Sequence, residues 1–454
     1  MNYKFNLNKI LIYFMKLKLK RELSWLEATF YGIGIILGAG IYSLIGEAAG
    51  IAGNSVWISF AIGALVASFT GLSYAELSTM FPKAAAEYVY VRRAFGSRFL
   101  AFLVGWLIVF TGIVSAATVA LGFSGYFQGL VGFVFAGLLT KSWSIIVISL
   151  ALIGILSYVN FLGIKESSKF NIIFTLIEAI GLILIIAFAF NSYGKVNYFE
   201  MPFGWKGVFS ATALIFFAYI GFEDIANITE ETKNPKKNIP KAFILAILIT
   251  TILYIFTSIA SVSLVGWNEL GDASNPLALV ASKSFLGENA KFLISFIALF
   301  ATTNTVLILL VVVSRMMYGM AREKSLPEQL TLIHQVTKTP WIAVLVVMIF
   351  SMIFVFLGDI TLIANITSLG AFITFAAVNL SLIWLRYNMP RMKRAFRVPG
   401  NIGNYPVVAF LGVFFCLFMI FQFERNLILA GLGIVAAGAI FYWIVVKKLK
   451  KFID

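Results

Sequence analysis

The chain of 454 residues is 61% hydrophobic and only 12% charged, with a mean hydropathy of +0.95, whereas a soluble protein of this length carries roughly 25% charged residues. That balance excludes an ordinary water-soluble domain and makes lipid the solvent. The net charge of +15 does not mark a nucleic-acid partner, because the basic residues punctuate apolar segments instead of gathering on one face, and the single Cys416 leaves neither a disulfide framework nor a cysteine metal site.

Residues 1–24 open the chain with Lys4, Lys9, Lys16, Lys18 and Lys20 around a short apolar patch and no small-residue cleavage site. They read as a cytoplasmic tail lying on the membrane surface. A spanning helix needs about 20 mostly apolar residues. On that rule the sequence predicts twelve spans, near 25–46, 54–79, 98–124, 143–160, 169–190, 207–229, 241–265, 290–314, 340–357, 360–385, 405–423 and 425–446. With both ends inside, the tails and the connections around 80–98, 161–169, 230–241, 315–339 and 386–404 hold 29 of the 35 basic residues. Only Lys141, Lys195, Lys206, Lys283, Lys291 and Arg425 remain outside, which is the asymmetry expected when positive charge stays cytoplasmic. Trp25, Trp57, Trp143, Trp205, Trp267, Trp341, Trp384 and Trp443 lie near proposed span ends, where amphipathic rings collect, and only Trp106 is internal. The expected home is a cytoplasmic membrane, with the tail 447–454 inside.

Segment 1 carries Gly32, Gly34, Gly38, Gly40 and Gly46, with Gly38-Ala39-Gly40-Ile41 halfway along it. Each interior glycine costs a helix about 1 kcal/mol and lets the backbone unwind. Segment 6 carries Phe217-Ala218-Tyr219-Ile220-Gly221-Phe222-Glu223-Asp224, two carboxylates behind a glycine in an apolar run. Carboxylates there are costly unless they face a cavity or a partner. These segments open two five-helix halves, 25–190 and 207–386, whose odd span number gives them opposite orientation, with 405–446 as two added helices. That is the layout of inverted-repeat transporters with discontinuous helices. Unwound helices expose N–H groups and carbonyls near the midplane, a pair of dipoles that fits a zwitterion. The N–H groups around Gly38, Ala39 and Gly40 would receive a carboxylate, and the carbonyls of Ile36 and of Ala218 to Gly221 an ammonium.

At these residues the chain resembles the amino acid, polyamine and organocation (APC) transporter superfamily. Gly38-Ala39-Gly40-Ile41-Tyr42 is similar to its first-helix motif. Tyr74-Ala75-Glu76-Leu77, Phe81-Pro82-Lys83 and Glu87-Tyr88-Val89-Tyr90 resemble its second-helix exit and inner loop. Ala218 to Asn227, continuing through Glu230-Glu231 to Asn234-Pro235-Lys236-Lys237-Asn238-Ile239-Pro240, is similar to its sixth helix and following loop, and Arg322-Glu323 to Leu326-Pro327 to the end of its eighth. The resemblance implies an all-α polytopic fold of twelve helices in a five-plus-five inverted repeat, and amino acids or related amines as cargo. It also implies Phe217 as an aromatic lid over the substrate and Glu223 as a coupling or gating carboxylate.

Glu178 lies nine residues into segment 5, roughly 13 Å deep in a core of about 30 Å. A lysine occupies the equivalent position in several permeases that the chain resembles, standing in for a sodium ion, so the charge here is reversed. Three readings stand: Glu178 carries a coupling proton, forms a cation site with Thr302 and Thr303, or is a protonated structural glutamic acid. Adjacent helical residues diverge by about 100°, so one of Glu223 and Asp224 is expected to face the cavity. Glu230 and Glu231 are read as a solvated loop with inner ion pairs to nearby lysines, Glu76 as a partner of Arg92 or Arg93, and His334 as lying off the path. No ring of polar residues suggests a channel filter, no convergent groups suggest an enzyme, and no cofactor is expected; H+, or else Na+, is the expected coupling ion. The expected function is a secondary amino-acid symporter, with an exchanger, a polyamine permease or a transporter-fold sensor without flux as alternatives. Few midplane carboxylates disfavour a polyamine.

Overall fold

The computed structural model describes residues 20–134, 142–273, 275–357 and 360–446. The expected tail charges Lys4, Lys9, Lys16 and Lys18, the exterior Lys141 and the tail 447–454 lie outside the described residues. Helix α1 (Trp25–Leu37) opens on a capping box, in which the Glu27 N–H donates to Ser24 Oγ at 3.3 Å and the Ser24 N–H to Glu27 Oε2 at 2.7 Å. It stops at Gly38, whose φ of −39° and ψ of −150° leave the helical basin, and α2 (Ala39–Ala52) resumes at once. Gly53, at φ +74° and with no room for a Cβ against Pro202, turns the chain into α3 (Val56–Met80). The apolar stretch Trp25–Met80 has 56 residues, and a straight helix of that length would run about 84 Å, so the turn at Gly53 folds it back on itself.

A short helix α4 (Ala86–Phe95) precedes the long α5 (Arg98–Val134), followed by α6 (Ser142–Leu162) and α7 (Ile164–Phe188). The next apolar stretch is interrupted: α8 (Gly204–Ile215), a tight turn Phe216–Tyr219, and a last helical turn α9 (Asp224–Asn227). Then come α10 (Pro235–Leu264), short α11 (Trp267–Gly271) and α12 (Pro276–Ser282), α13 (Glu288–Arg322), α14 (Trp341–Phe354) and α15 (Ile360–Asn388). A two-residue hairpin, β1 (Asn401–Ile402) and β2 (Tyr405–Pro406), leads to α16 (Val407–Ile420) and α17 (Arg425–Phe441). Among the described residues nine stretches are long and apolar enough to cross a membrane, and α14 and α16 are shorter apolar helices. The chain is therefore an all-helical, multi-pass membrane protein.

Small residues let the helix backbones approach where the core is tightest. Gly105 and Gly112 of α5 admit Met320 and Val313 of α13, and Gly71 of α3 admits Ile247 of α10. Ile155, Tyr158, Leu429, Leu432 and Ile440 point outward from the bundle, as side chains bathed in lipid do.

At the end of the bundle that carries the basic loops, ionic groups are buried in pairs. Glu76 accepts from Arg386 Nε at 2.7 Å, Arg386 Nη2 at 2.6 Å and the Val398 N–H at 2.8 Å, and lies 3.0 Å from Arg394 Nε. The expected partners Arg92 and Arg93 are displaced, because Arg92 turns back to the Gly96 carbonyl at the end of α4. Glu231 is likewise buried instead of solvated. It pairs with Arg315, 3.4 Å away inside α13, and Arg315 Nη1 also donates to Asn160 at 2.5 Å. That partner carries α13 past the expected end at residue 314, since a paired arginine no longer needs to sit in a loop. Glu230 takes Arg322 at 3.0 Å, and Lys83 pairs with Glu323 at 3.0 Å.

Removing one partner from a buried pair strands the other charge, at a cost of about 3–5 kcal/mol. Glu76→Gln should thus lower the melting temperature in detergent far more than the same change at the half-exposed Glu166.

Candidate functional site

The two interrupted helices meet side by side. A Cβ on Gly40 would fall 2.6 Å from Ala218 Cα, and one on Gly221 would strike the Ile35 side chain at 2.6 Å. Gly221 also sits at φ +121°, a conformation that L side chains rarely adopt, and Ile220 beside it is extended. Only glycine permits both the bend and the approach.

Each break leaves backbone groups without a helical partner, and neighbouring side chains take them up. The Ala39 N–H donates to Thr305 Oγ1 of α13 at 3.0 Å, and the Gly221 N–H donates to Glu223 Oε2 at 2.8 Å. From α10 the Tyr254 hydroxyl reaches the Ala218 carbonyl at 3.0 Å and also contacts the carbonyl of Ile36.

A cavity of about 760 Å³, open solvent at its mouth included, lies against the two breaks. Of the residues singled out from sequence, Ile36, Ala39, Gly40, Phe217, Ala218, Ile220, Gly221 and Glu223 line it. Gly38, Ile41 and Tyr219 are buried behind that wall: Gly38 faces Thr305, and the Tyr219 hydroxyl donates to the Phe60 carbonyl at 3.0 Å. Helices α5 and α15, which sequence reasoning left unplaced, supply Ile108, Thr111, Ser115, Thr367, Thr374 and Phe375, and α13 adds Thr305, Leu309 and Val313. Among the described residues no lysine, arginine or histidine lines the cavity. Both Glu223 and Asp224 reach it, where regular helix geometry leads one to expect a single inward carboxylate. The chain turns rather than coils from Ile220 to Glu223, so the 100° spacing does not apply.

Glu178 is fully buried in α7, apart from the cavity wall, and among the described residues neither carboxyl oxygen has a hydrogen-bond partner within bonding distance. Its setting is a polar layer between α7, α13 and α1. Asn171, Thr175 and Glu178 share one helix face; the Asn171 amide donates to Asn304 Oδ1 at 3.1 Å, and the Asn304 amide reaches Thr175 Oγ1 at 3.3 Å and the Gly34 carbonyl at 3.4 Å. Thr302 and Thr303 bond back to carbonyls of their own helix, at 2.9 Å to Ala298 and 2.7 Å to Leu299. The polar reach of α13 into this layer comes from Asn304 and toward the break from Thr305. An asparagine in so apolar a helix is the signal that could have found the first.

Beyond the cavity toward the basic end, Asn227 of α9 clamps α4. Its side-chain Oδ1 accepts the Ala86 N–H at 3.0 Å and its Nδ2 donates to the Glu87 carboxyl at 3.2 Å. Glu87 stands in the connection between α3 and α5, outside the spans, and burial outweighs the Asn227 bond and pushes its carboxyl up from 4.5 to about 7.

Broken helices around a largely apolar cavity in an all-helical multi-pass bundle are the architecture of a membrane permease. Residues 23–446 match the family model described as amino acid permease. The chain is 32% identical over 447 residues to the branched-chain amino acid permease BcaP of Bacillus subtilis (strain 168), covering 95% of this chain and 94% of that one. It is 31% identical to the methylthioribose transporter of the same organism, over 95% and 94% of the two chains. Against cationic amino acid transporter 1 of Arabidopsis thaliana it is 28% identical, covering 82% of this chain and 63% of the plant protein. The protein belongs to the amino acid permease family, within the APC superfamily.

Two outcomes follow from this geometry. Gly40→Ala places a methyl against the Ala218 backbone and should abolish transport while the protein still inserts, whereas Gly125→Ala, where a Cβ meets nothing within 4 Å, should transport as wild type. For Glu87 the native state holds a proton that the unfolded chain releases, so stability falls as pH rises from 4.5 to about 7. The melting temperature of Glu87→Gln should therefore match wild type near the bottom of that window and exceed it above the top.

Proposed function

We propose that the protein is a secondary active transporter that carries an amino acid across the cytoplasmic membrane together with a proton. The observation that carries this reading is the pair of facing helix breaks, whose residues Ile36, Ala39, Gly40, Ala218 and Gly221 line one cavity and bring the opposite dipoles of helix starts and ends to its wall. A carboxylate and an ammonium one carbon apart match those opposite dipoles. Apolar wall residues such as Ile108, Ile220, Leu309 and Val313 suit an aliphatic side chain, in keeping with the name of the branched-chain relative.

In this reading the chain crosses the membrane twelve times. Folding the Trp25–Met80 stretch in two makes ten long spans of the nine, and the shorter α14 and α16 complete the number. Residues 25–190 and 207–386 then form inverted five-helix repeats, each opening on a broken helix, and 405–446 adds two helices. The lysine and arginine asymmetry puts the basic end, and both termini, in the cytoplasm. Phe217, partly exposed beside Leu44, Leu214 and Ala364, is the lid on the opposite side of the cavity, and Glu223 and Asp224 mark its inner side.

Glu178 is the coupling residue: a fully buried carboxyl in the polar layer where the Asn304 amide reaches the Gly34 carbonyl just before the first break links proton occupancy to the site. Sodium in the same layer is the second reading, favoured by the hard oxygens that converge there, Thr175 Oγ1, the Gly34 carbonyl and the unpartnered Asn171 Oδ1.

Proteoliposomes loaded with buffer and given a labelled amino-acid mixture test this. Accumulation should require an inward proton gradient in wild type and vanish in Glu178→Gln, with exchange of internal for external substrate retained. A sodium gradient replacing the proton gradient would move the assignment to the second reading. Undiminished accumulation by Glu178→Gln would remove Glu178 from coupling.

A further inference from the structure

From Arg386, in the last turn of α15, to Pro406 the chain carries five cations, Arg386, Arg391, Lys393, Arg394 and Arg397, and no carboxylate. Three of them hold the segment in place. Glu76 faces Arg386 and Arg394 together. Arg394 also folds back onto the helix end, its Nη2 donating to the Leu385 and Met389 carbonyls at 3.1 Å each, and Arg397 holds the Gly403 carbonyl and Asn404 Oδ1 of the hairpin at 3.4 and 3.2 Å. A single carboxylate thus answers five positive charges. Arg391 and Lys393 are exposed and make no ion pair or hydrogen bond among the described residues.

Between the end of α15 and the hairpin lies a hollow of about 660 Å³, open surroundings included, lined by Trp384, Tyr387, Pro390 and Tyr405 together with Arg386. Its three aromatic side chains are 47%, 69% and 57% exposed. Rings of this amphipathic kind settle at the boundary between bilayer and water, and the apolar α16 leaves the hollow directly at Val407. Met389 and Met392, set among the cations, are exposed as well. Phe95 packs on Trp384 at 5.9 Å between centroids, which brings the last turn of α4 and its exposed Arg93 alongside.

This combination selects the partner. A small soluble anion uses the cations but not the open rings and methionines, and a neutral lipid uses the rings but not the cations. A phospholipid with a net negative headgroup uses both, and clusters of lysine and arginine directly cytoplasmic of a spanning helix are the surfaces that such lipids favour. We infer that the hollow at the end of α15 is a binding site for an anionic phospholipid of the leaflet on the basic side, with its phosphate at Arg391 and Lys393 and its glycerol region against Trp384, Tyr387 and Tyr405. The same helix supplies Thr367, Thr374 and Phe375 to the cavity, so the lipid seats on an element of the candidate transport site. The inference does not depend on which solute is carried.

The test is a thermal-shift titration of the delipidated full chain, in neutral detergent, with dioleoyl phosphatidylglycerol, dioleoyl phosphatidylcholine and inorganic phosphate. Phosphatidylglycerol should raise the melting temperature saturably, and the other two should not at the same concentration. Replacing both free cations, Arg391→Gln with Lys393→Gln, should weaken phosphatidylglycerol about thirtyfold. Lys236→Gln with Lys237→Gln removes the same charge from exposed lysines at the start of α10 and should change it less than about twofold. Tyr387→Ala with Tyr405→Ala keeps every charge and should weaken it at least about fivefold. Equal weakening by the two charge pairs would mean attraction to net charge alone. An equal shift with phosphate would mean a simple anion site, and full binding by the tyrosine pair would mean that the hollow takes no lipid. Each of these, or no shift in wild type, overturns the inference.

Discussion

Inside a bilayer no water is present to satisfy an exposed peptide group, so a helix that breaks there must be capped by its neighbours. That requirement organises this structure. The break at Gly38 exists because Thr305 receives the Ala39 N–H, and the break at Gly221 because Glu223 folds back onto the Gly221 N–H. Tyr254 holds a carbonyl from each. The caps come from α13, from the break itself and from α10, so the unwound stretches are stable only in the assembled bundle. A site made of backbone dipoles is, for this reason, a product of the surrounding side chains.

The same rule governs charge. Glu76 with Arg386, and Glu231 with Arg315, are ion pairs taken almost wholly out of solvent. Their desolvation is offset in part by further donors and acceptors, the Val398 N–H for Glu76 and Asn160 for Arg315, while Arg315 Nη2 and Arg386 Nη1 stay without a partner among the described residues. They lie where distant parts of the chain converge: Glu76 ties α3 to the end of α15 and the segment after it, and Glu231 ties the 3-10 turn after α9 to α13. Together with the Asn227 clamp on α4, they fasten the second broken helix to the basic end of the bundle.

Glu178 shows the opposite balance. The hydroxyls of Thr302 and Thr303 are used up by their own helix, as serine and threonine in apolar helices commonly are. Asparagine reaches further, and Asn304 bridges α7 to α1. The carboxyl beside it is fully buried and, among the described residues, has no hydrogen-bond partner within bonding distance.

Hydropathy and glycine placement alone specified much of this protein. Transfer from water to lipid adds residue by residue, so the apolar stretches, their basic connections and the weak points at Gly38 and Gly221 could all be read from local composition. Most of the cavity wall at the breaks, from Ile36 to Gly40 and from Phe217 to Glu223, was legible for the same reason. Partners were not. Nothing near Ile36 in the chain announces Tyr254, nothing near Glu76 announces Arg386, and the choice of Asn304 and Thr305 over Thr302 and Thr303 depends on which side of α13 faces α1. Such pairings are set by how helices pack side by side, and a hydrogen bond of 3 Å is decided by rotations and approaches that sequence separation does not encode.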